Sequence, residues 1–186
     1  MIIGLSGYAK SGKDTFFNLL REGLAGKSKT KRLAFADKLK DDLRGTLSNL
    51  GVNLSDCSPR EKELVRPLLV SYGMVARAID EDYWIRKIQN EADDLYAQGF
   101  IVVITDVRYA NEAEWIKDSF KNSIIVDIER SGVDPANLEE LNNHPKIKHM
   151  SEYNIKWNTF GNENLHLGME QVNKFINEKV RQSVNI

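Results

Sequence analysis

The sequence predicts an α/β fold of three layers, a mainly parallel sheet with helices on both faces, and three observations carry that expectation. A short apolar run, Met1 to Leu5, leads through the loop Gly7-Tyr8-Ala9-Lys10-Ser11-Gly12-Lys13 into a segment whose Phe16, Leu19, Leu20 and Leu24 recur at helical spacing. Phe100 to Ile104 is an unbroken apolar run, as a strand buried on both faces requires, and it ends in Thr105-Asp106-Val107-Arg108. Finally, 186 residues that are 41% hydrophobic, with a formal net charge of −1, suit one domain spanning 1–186 with a substantial core.

Taken in order, the first helix runs into a polar loop from Gly23 to Thr30, and Arg32-Leu33-Ala34-Phe35 reads as a second strand. A helix then starts near Ala36, with Asp37 as a plausible N-cap. Gly51, Asn53, Asp56 and Pro59 mark a break, after which two helices follow, at about 60–79 and 82–97. In the second of these, Trp84, Ile88, Ala92 and Leu95 form one apolar stripe, and Gly99 closes it. Consecutive helices without an intervening strand are an insertion into simple βαβ alternation, and such an insertion is a natural holder of a second substrate. Beyond the buried run at 100–104 come a helix at 110–120 and a strand at 123–128 ending in Glu129-Arg130. Residues 131–150, with two prolines and no clear period, read as a mobile excursion. Tyr153-Asn154-Ile155 is a last short strand, and Leu165, Met169, Val172, Ile176 and Val180 mark a terminal amphipathic helix.

Composition narrows the function classes. Near-neutral charge argues against nucleic acid as the main partner. The cluster Lys27, Lys29, Lys31 and Arg32 reads as a solvated loop. No apolar stretch approaches the roughly 20 residues that span a bilayer, and no signal peptide is apparent, so no membrane partner is expected. Cys57 is the single cysteine, which rules out an internal disulfide and fits a reducing, cytoplasmic location. It has no histidine partner in the pattern of a nucleophile, and His144 and His149 lack ligand partners at zinc spacing.

Chemistry concentrates at two places. Gly7 to Lys13 fits G-x-x-x-x-G-K, in which backbone N–H groups turn inward around phosphate oxygens and the lysine reaches the terminal phosphates. The helix N-terminus behind the loop adds donors and a positive dipole end. Ser11, Gly12, Lys13, Asp14 and Thr15 are therefore the candidate residues for a nucleoside triphosphate such as ATP. The usual pattern places Ser or Thr directly after the lysine to hold Mg²⁺, whereas Asp14 intervenes here. Either Asp14 holds Mg²⁺ through water, or Thr15 bonds a phosphate while the metal is anchored elsewhere. The second place is the tip of the buried strand, where α/β sheets bind ligands. Asp106 and Arg108, two residues apart, point the same way on an extended chain and can face the phosphates, or else pair with each other as a strand cap. Glu112 either fixes Arg108 or stabilises a helix start. Arg130 is either a cis-acting arginine for the transferring phosphate or a surface cation. On spacing alone Lys40 and Arg66 are solvated cations, and Trp84 is core unless it stacks on a base.

These blocks, together with Ala36 to Lys40, Arg66-Pro67-Leu68-Leu69 with Gly73, Tyr83-Trp84-Ile85, Arg130-Ser131-Gly132 and His149-Met150-Ser151-Glu152, resemble the phage-type deoxynucleoside monophosphate kinases, a P-loop family. Lys13-Asp14-Thr15 is that family's own form of the loop. The resemblance implies a P-loop kinase fold with a helical substrate-binding insertion at about 36–98 and a lid at about 131–150, Arg130 lying on its hinge side. It implies transfer of the γ-phosphoryl group of ATP, with Mg²⁺, to a deoxynucleoside monophosphate. Lys13, Asp14 and Thr15 would serve ATP and metal, and Lys40, Arg66, Gly73, Trp84, Asp106, Arg108 and Glu112 would surround the acceptor. Catalytic roles would fall to Lys13, Asp106, Arg108 and Arg130. A homodimer is possible by the same analogy, and a phage-encoded protein would work in the host cytoplasm. Family members can carry glutamine where Val70 stands, so base preference is not transferable. Rival readings are another small-molecule kinase, such as a dephospho-coenzyme A kinase, and an ATP-binding regulatory protein without transfer.

Overall fold

A computed structural model describes residues 1–54, 56–158 and 165–183. Five strands form one sheet in the order β2-β3-β1-β4-β5, every neighbouring pair parallel. They are β1 (Ile2–Ser6), β2 (Thr30–Leu33), β3 (Ile101–Ile104), β4 (Ser123–Arg130) and β5 (Tyr153–Trp157). The helices are α1 (Lys13–Gly23), α2 (Phe35–Asn49), α3 (Pro59–Ile79), α4 (Tyr83–Ala97), α5 (Ala110–Ser119), α6 (Leu138–Met150) and α7 (Leu165–Phe175). A π-helical turn, Ile176–Val180, continues α7 and leads into a short α8 (Arg181–Ser183).

The chain divides into two compact units, one of Met1–Leu33 with Glu91–Ile186 and one of Ala34–Asn90. In the first, β1 lies at the centre of the sheet and every one of its residues is buried. Its neighbours β3 and β4 continue the chain in opposite directions across the sheet, so the crevice at the carboxyl end of β1 is where a ligand is expected in an open parallel sheet. Alternation along the strands serves both faces. Ile3, Leu5, Val103, Val126, Ile128 and Trp157 join Phe16, Leu20, Val172 and Phe175 of α1 and α7 in one cluster. On the other face α5 packs against β1 and β4, so closely that a Cβ on Gly4 would lie 2.9 Å from Ile116 Cδ1.

The second unit is helical. Leu43, Leu47 and Val65 are its buried cluster, with Leu39, Leu69 and Tyr72 packed against them. The Ser58 side chain accepts from Glu61 N–H while the Glu61 carboxylate accepts from Ser58 N–H, a capping box that starts α3 with Pro59 at its first turn.

Three local expectations are corrected. The second strand is Thr30–Leu33 and not 32–35, because its partner β3 ends at Ile104, opposite Leu33, and Phe35 already opens α2. Asp37 is not the N-cap of α2; Ala34 holds that position and Asp37 lies in the first turn. Residues 138–150 are a helix and not an irregular excursion. The positions α6 buries are Glu140, His144 and Ile147, so its inward face is helical in period but mostly polar in composition, which hides the period from an apolar count.

Candidate phosphate site

The loop between β1 and α1 is shaped by two glycines that no other residue could replace. Gly7 has φ +128° and a Cβ there would lie 2.2 Å from the Ile128 carbonyl oxygen. Gly12, the N-cap of α1, has φ +98°, and its Cβ would lie 2.8 Å from the Trp157 ring. Trp157, at the tip of β5, also donates its indole N–H to the Ser11 carbonyl at 2.7 Å. The loop is thus wedged between the ends of β4 and β5. Sequence reasoning passed over Trp157, because only the sheet order brings β5 to the loop.

Lys13 folds back over this loop. Its ammonium donates to the Gly7 carbonyl at 2.6 Å and the Tyr8 carbonyl at 2.7 Å. Burial, reinforced by the Arg108 charge, lowers its pKa to about 8, while Glu140, Asp106 and Asp14 act in the opposite sense. Arg108, Asp106, Asp14 and Glu140 therefore all lie within electrostatic reach of the phosphate-loop lysine. Arg130 is at the loop too, donating from Nη1 to the Lys10 carbonyl at 3.2 Å. The structure accordingly gathers Lys13, Asp14, Asp106, Arg108 and Arg130 around one loop. The route differs from the strand alternation inferred above: β3 ends at Ile104, and Thr105-Asp106 form a turn that carries the chain toward the loop.

Glu112, Trp84 and Gly73, also selected from the sequence, serve the fold. Glu112 is 1% exposed, and its carboxylate accepts from the backbone N–H of Arg108 at 2.8 Å and of Tyr109 at 3.2 Å. It caps the start of α5 and holds the backbone of Arg108, not the guanidinium. The guanidinium instead lies 3.3 Å from Glu140. Trp84 is 1% exposed, packed edge-on against Tyr72 and Tyr83 and donating to the Gly73 carbonyl at 3.4 Å. Its ring is core of the second unit, with no open face on which a base could stack. Gly73 is buried in α3, where a Cβ would lie 2.9 Å from Leu39 Cδ1, so its smallness serves helix packing. Lys40 pairs with Asp37 at 3.5 Å, and Arg66 is exposed. These four belong to the helical unit, whereas the loop belongs to the other.

A cavity of about 320 Å³ borders the loop, lined by Tyr8, Ser11, Arg130, Val133, His144 and Lys148 among others. His144 Nε2 is 2.7 Å from the fully buried carboxylate of Asp127, which ties α6 to β4. Among the described residues no group of three or more His, Cys, Asp or Glu is placed to hold a metal ion. The oxygen donors near the loop, Asp14, Thr15 and Asp106, suit Mg²⁺, which takes one or two protein oxygens and completes its shell with phosphates and water. No helix among the described residues is long and apolar enough to cross a membrane.

A parallel sheet with helices on both faces, a glycine loop at the carboxyl end of its central strand and cations converging on that loop define a P-loop kinase acting on small molecules. Residues 5–122 match the phosphomevalonate kinase family, and the chain belongs to it. A search of curated proteins finds no match. Among solved structures the chain is similar to a shikimate kinase from Aquifex aeolicus, at 14% identity and a TM-score of 0.48, covering 96% of this chain and 99% of that one. It is also similar to the protein TT1252 from Thermus thermophilus, at 16% identity and a TM-score of 0.46, covering 92% and 95%.

Proposed function

We propose that the protein transfers the γ-phosphoryl group of ATP to a phosphomonoester, and that this acceptor is a deoxynucleoside 5′-monophosphate. The observation that supports transfer most directly is the meeting of Lys13, Arg108 and Arg130 at one glycine loop, with Asp106 beside them. Two polyanions must be held in line while charge migrates between them, and a phosphoryl-transfer site does this by positioning and neutralisation more than by covalent chemistry. Lys13 would leave the Gly7 and Tyr8 carbonyls for the donor phosphates. Arg108 would grip a phosphate with the fork of its guanidinium, and Arg130 would neutralise the moving group from the edge of β4. Mg²⁺, when bound, would spread charge from the donor phosphates, with Asp14 and Thr15 its nearest protein oxygens in sequence.

The deoxynucleotide acceptor rests on the resemblance of the sequence blocks. Lys40 and Arg66 are its proposed acceptor-binding residues in the helical unit. A second reading, phosphomevalonate as acceptor, is favoured by the family match over residues 5–122. Both acceptors are phosphomonoesters, so both ask for an anion-binding arginine beside the loop. The test is an ATP-to-ADP assay with Mg²⁺ against deoxynucleoside and ribonucleoside monophosphates, phosphomevalonate, dephospho-coenzyme A and a no-acceptor control. Diphosphate formed from one or more deoxynucleotides is the expected result. Turnover only with phosphomevalonate would select the second reading, and ATP binding without any transfer would reject both.

A further inference from the structure

Glu140 is the charged residue at the loop that no motif singles out. It sits in the first turn of α6, is 8% exposed, and its carboxylate touches three separate segments. It accepts from the Ala9 N–H at 3.1 and 3.2 Å, from the Ala136 N–H at 3.0 Å, and lies 3.3 Å from Arg108 Nη1. We propose that Glu140 is the positioning residue for Arg108, holding its guanidinium against the phosphate loop before substrate arrives; this rests on the phosphoryl-transfer reading above.

The physical reasons are local. A carboxylate this buried requires a counter-charge and hydrogen bonds, and here the loop amide, the helix-start amide and Arg108 supply them. Arg108, by contrast, has a side chain that is 44% exposed, and an arginine that open to solvent would otherwise sample many rotamers. Its engagement by Glu140 removes that freedom in advance and fixes one edge of the guanidinium. The other N–H donors of the fork stay available for a phosphate. Ala9 is between the two loop glycines, so the same carboxylate sets the distance between Arg108 and the loop. Electrostatic preorganisation of this kind acts in the transition state, where a displaced arginine lowers kcat more than it weakens ground-state binding.

The test is a double-mutant cycle of Glu140→Gln and Arg108→Ala. Glu140→Gln keeps the side-chain size and can still accept from both amides, but removes the charge that holds Arg108. With the acceptor that the wild type uses, Glu140→Gln is expected to lower kcat at least ~10-fold while ATP affinity by calorimetry stays within ~3-fold. In the Arg108→Ala background it should change kcat by less than ~2-fold, since a residue acting through Arg108 has nothing left to position. Glu140→Asp, which restores the charge, should recover part of the loss. Equal effects of Glu140→Gln in both backgrounds, ATP affinity falling in step with kcat, or an unchanged kcat would each overturn the proposal. A readout independent of turnover separates this from a failure of the functional reading. Phenylglyoxal modification of Arg108, followed by peptide mass spectrometry in folded protein, should accelerate at least ~3-fold in Glu140→Gln, and an unchanged rate refutes the positioning role even if no acceptor is phosphorylated.

Discussion

Trp157→Phe tests how the phosphate loop is held from below. Trp157 is 4% exposed, donates to the Ser11 carbonyl at 2.7 Å and packs its ring where a Cβ on Gly12 would reach 2.8 Å. Phenylalanine keeps an aromatic ring but has no N–H, so the Ser11 carbonyl loses its indole donor; leaving a buried acceptor unpaired costs about 1–3 kcal/mol. The smaller ring also gives up roughly 40 Å² of buried apolar area, about 1 kcal/mol at the usual coefficient. Together these predict a loss of about 2–4 kcal/mol, which in a chain of this size lowers Tm by about 4–16 °C. Because the lost bond ends on the loop itself, ATP affinity should fall at least ~5-fold by calorimetry, beyond what a comparable core truncation distant from the loop produces. A variant that melts within about 2 °C of wild type and binds ATP equally well would refute the idea that β5 supports the loop.

Other predictions follow from the same site. Arg108→Ala should reduce kcat at least ~10²-fold, toward the lower end of what transition-state arginines contribute, and near-wild-type turnover would remove Arg108 from the chemistry. Gly7→Ala should abolish ATP binding, since its Cβ would lie 2.2 Å from the Ile128 carbonyl oxygen in a backbone conformation with φ +128°; calorimetric binding at wild-type strength would contradict the loop geometry. Lys13, lowered by burial from its ordinary 10.5 to about 8, should make chelator-treated ADP binding weaken as pH rises above about 8, because the ammonium that meets the phosphates is lost there. The same shift has the opposite sign for folding: between about 8 and 10.5 the unfolded chain holds the extra proton, so this residue's contribution to stability rises with pH through that window. A flat ADP affinity from about pH 7 to about 9, roughly one unit either side of that pKa, would show that Lys13 is not the titrating contact.

The element types and the loop were legible in the sequence because local rules dictate them. Two buried strands read as apolar runs, α1 begins directly after a glycine that alone tolerates its backbone angles, and Ser58-x-x-Glu61 announces α3. Asp106 and Arg108 were legible as candidates from their place after a buried strand, and the structure brings both near the loop lysine. Yet alternation along an extended strand does not apply there, because Asp106 lies in a turn and Arg108 beyond it. Glu112 illustrates the limit from the other side: an acid four residues after an arginine has two uses, and only its burial against two backbone amides decides for the helix cap.

Tertiary structure alone decided α6 and everything it brings. Asn137-x-x-Glu140 is a helix-start signal that could have been read, with Asn137 Oδ1 accepting from Glu140 N–H at 2.9 Å, but of the buried positions Glu140, His144 and Ile147 only the last is apolar, so apolar periodicity is silent. Whether a buried glutamate meets an arginine 32 residues away and an amide 131 residues away depends on the strand order, which places β4 beside β1 and returns α6 to the loop. The sequence by itself determined that a phosphate loop forms at the end of a buried strand, since glycine conformation and hydrophobic patterning are short-range properties. Which side chains surround that loop was left to the packing of distant segments, because charge pairing and burial act through space and leave no fixed spacing along the chain.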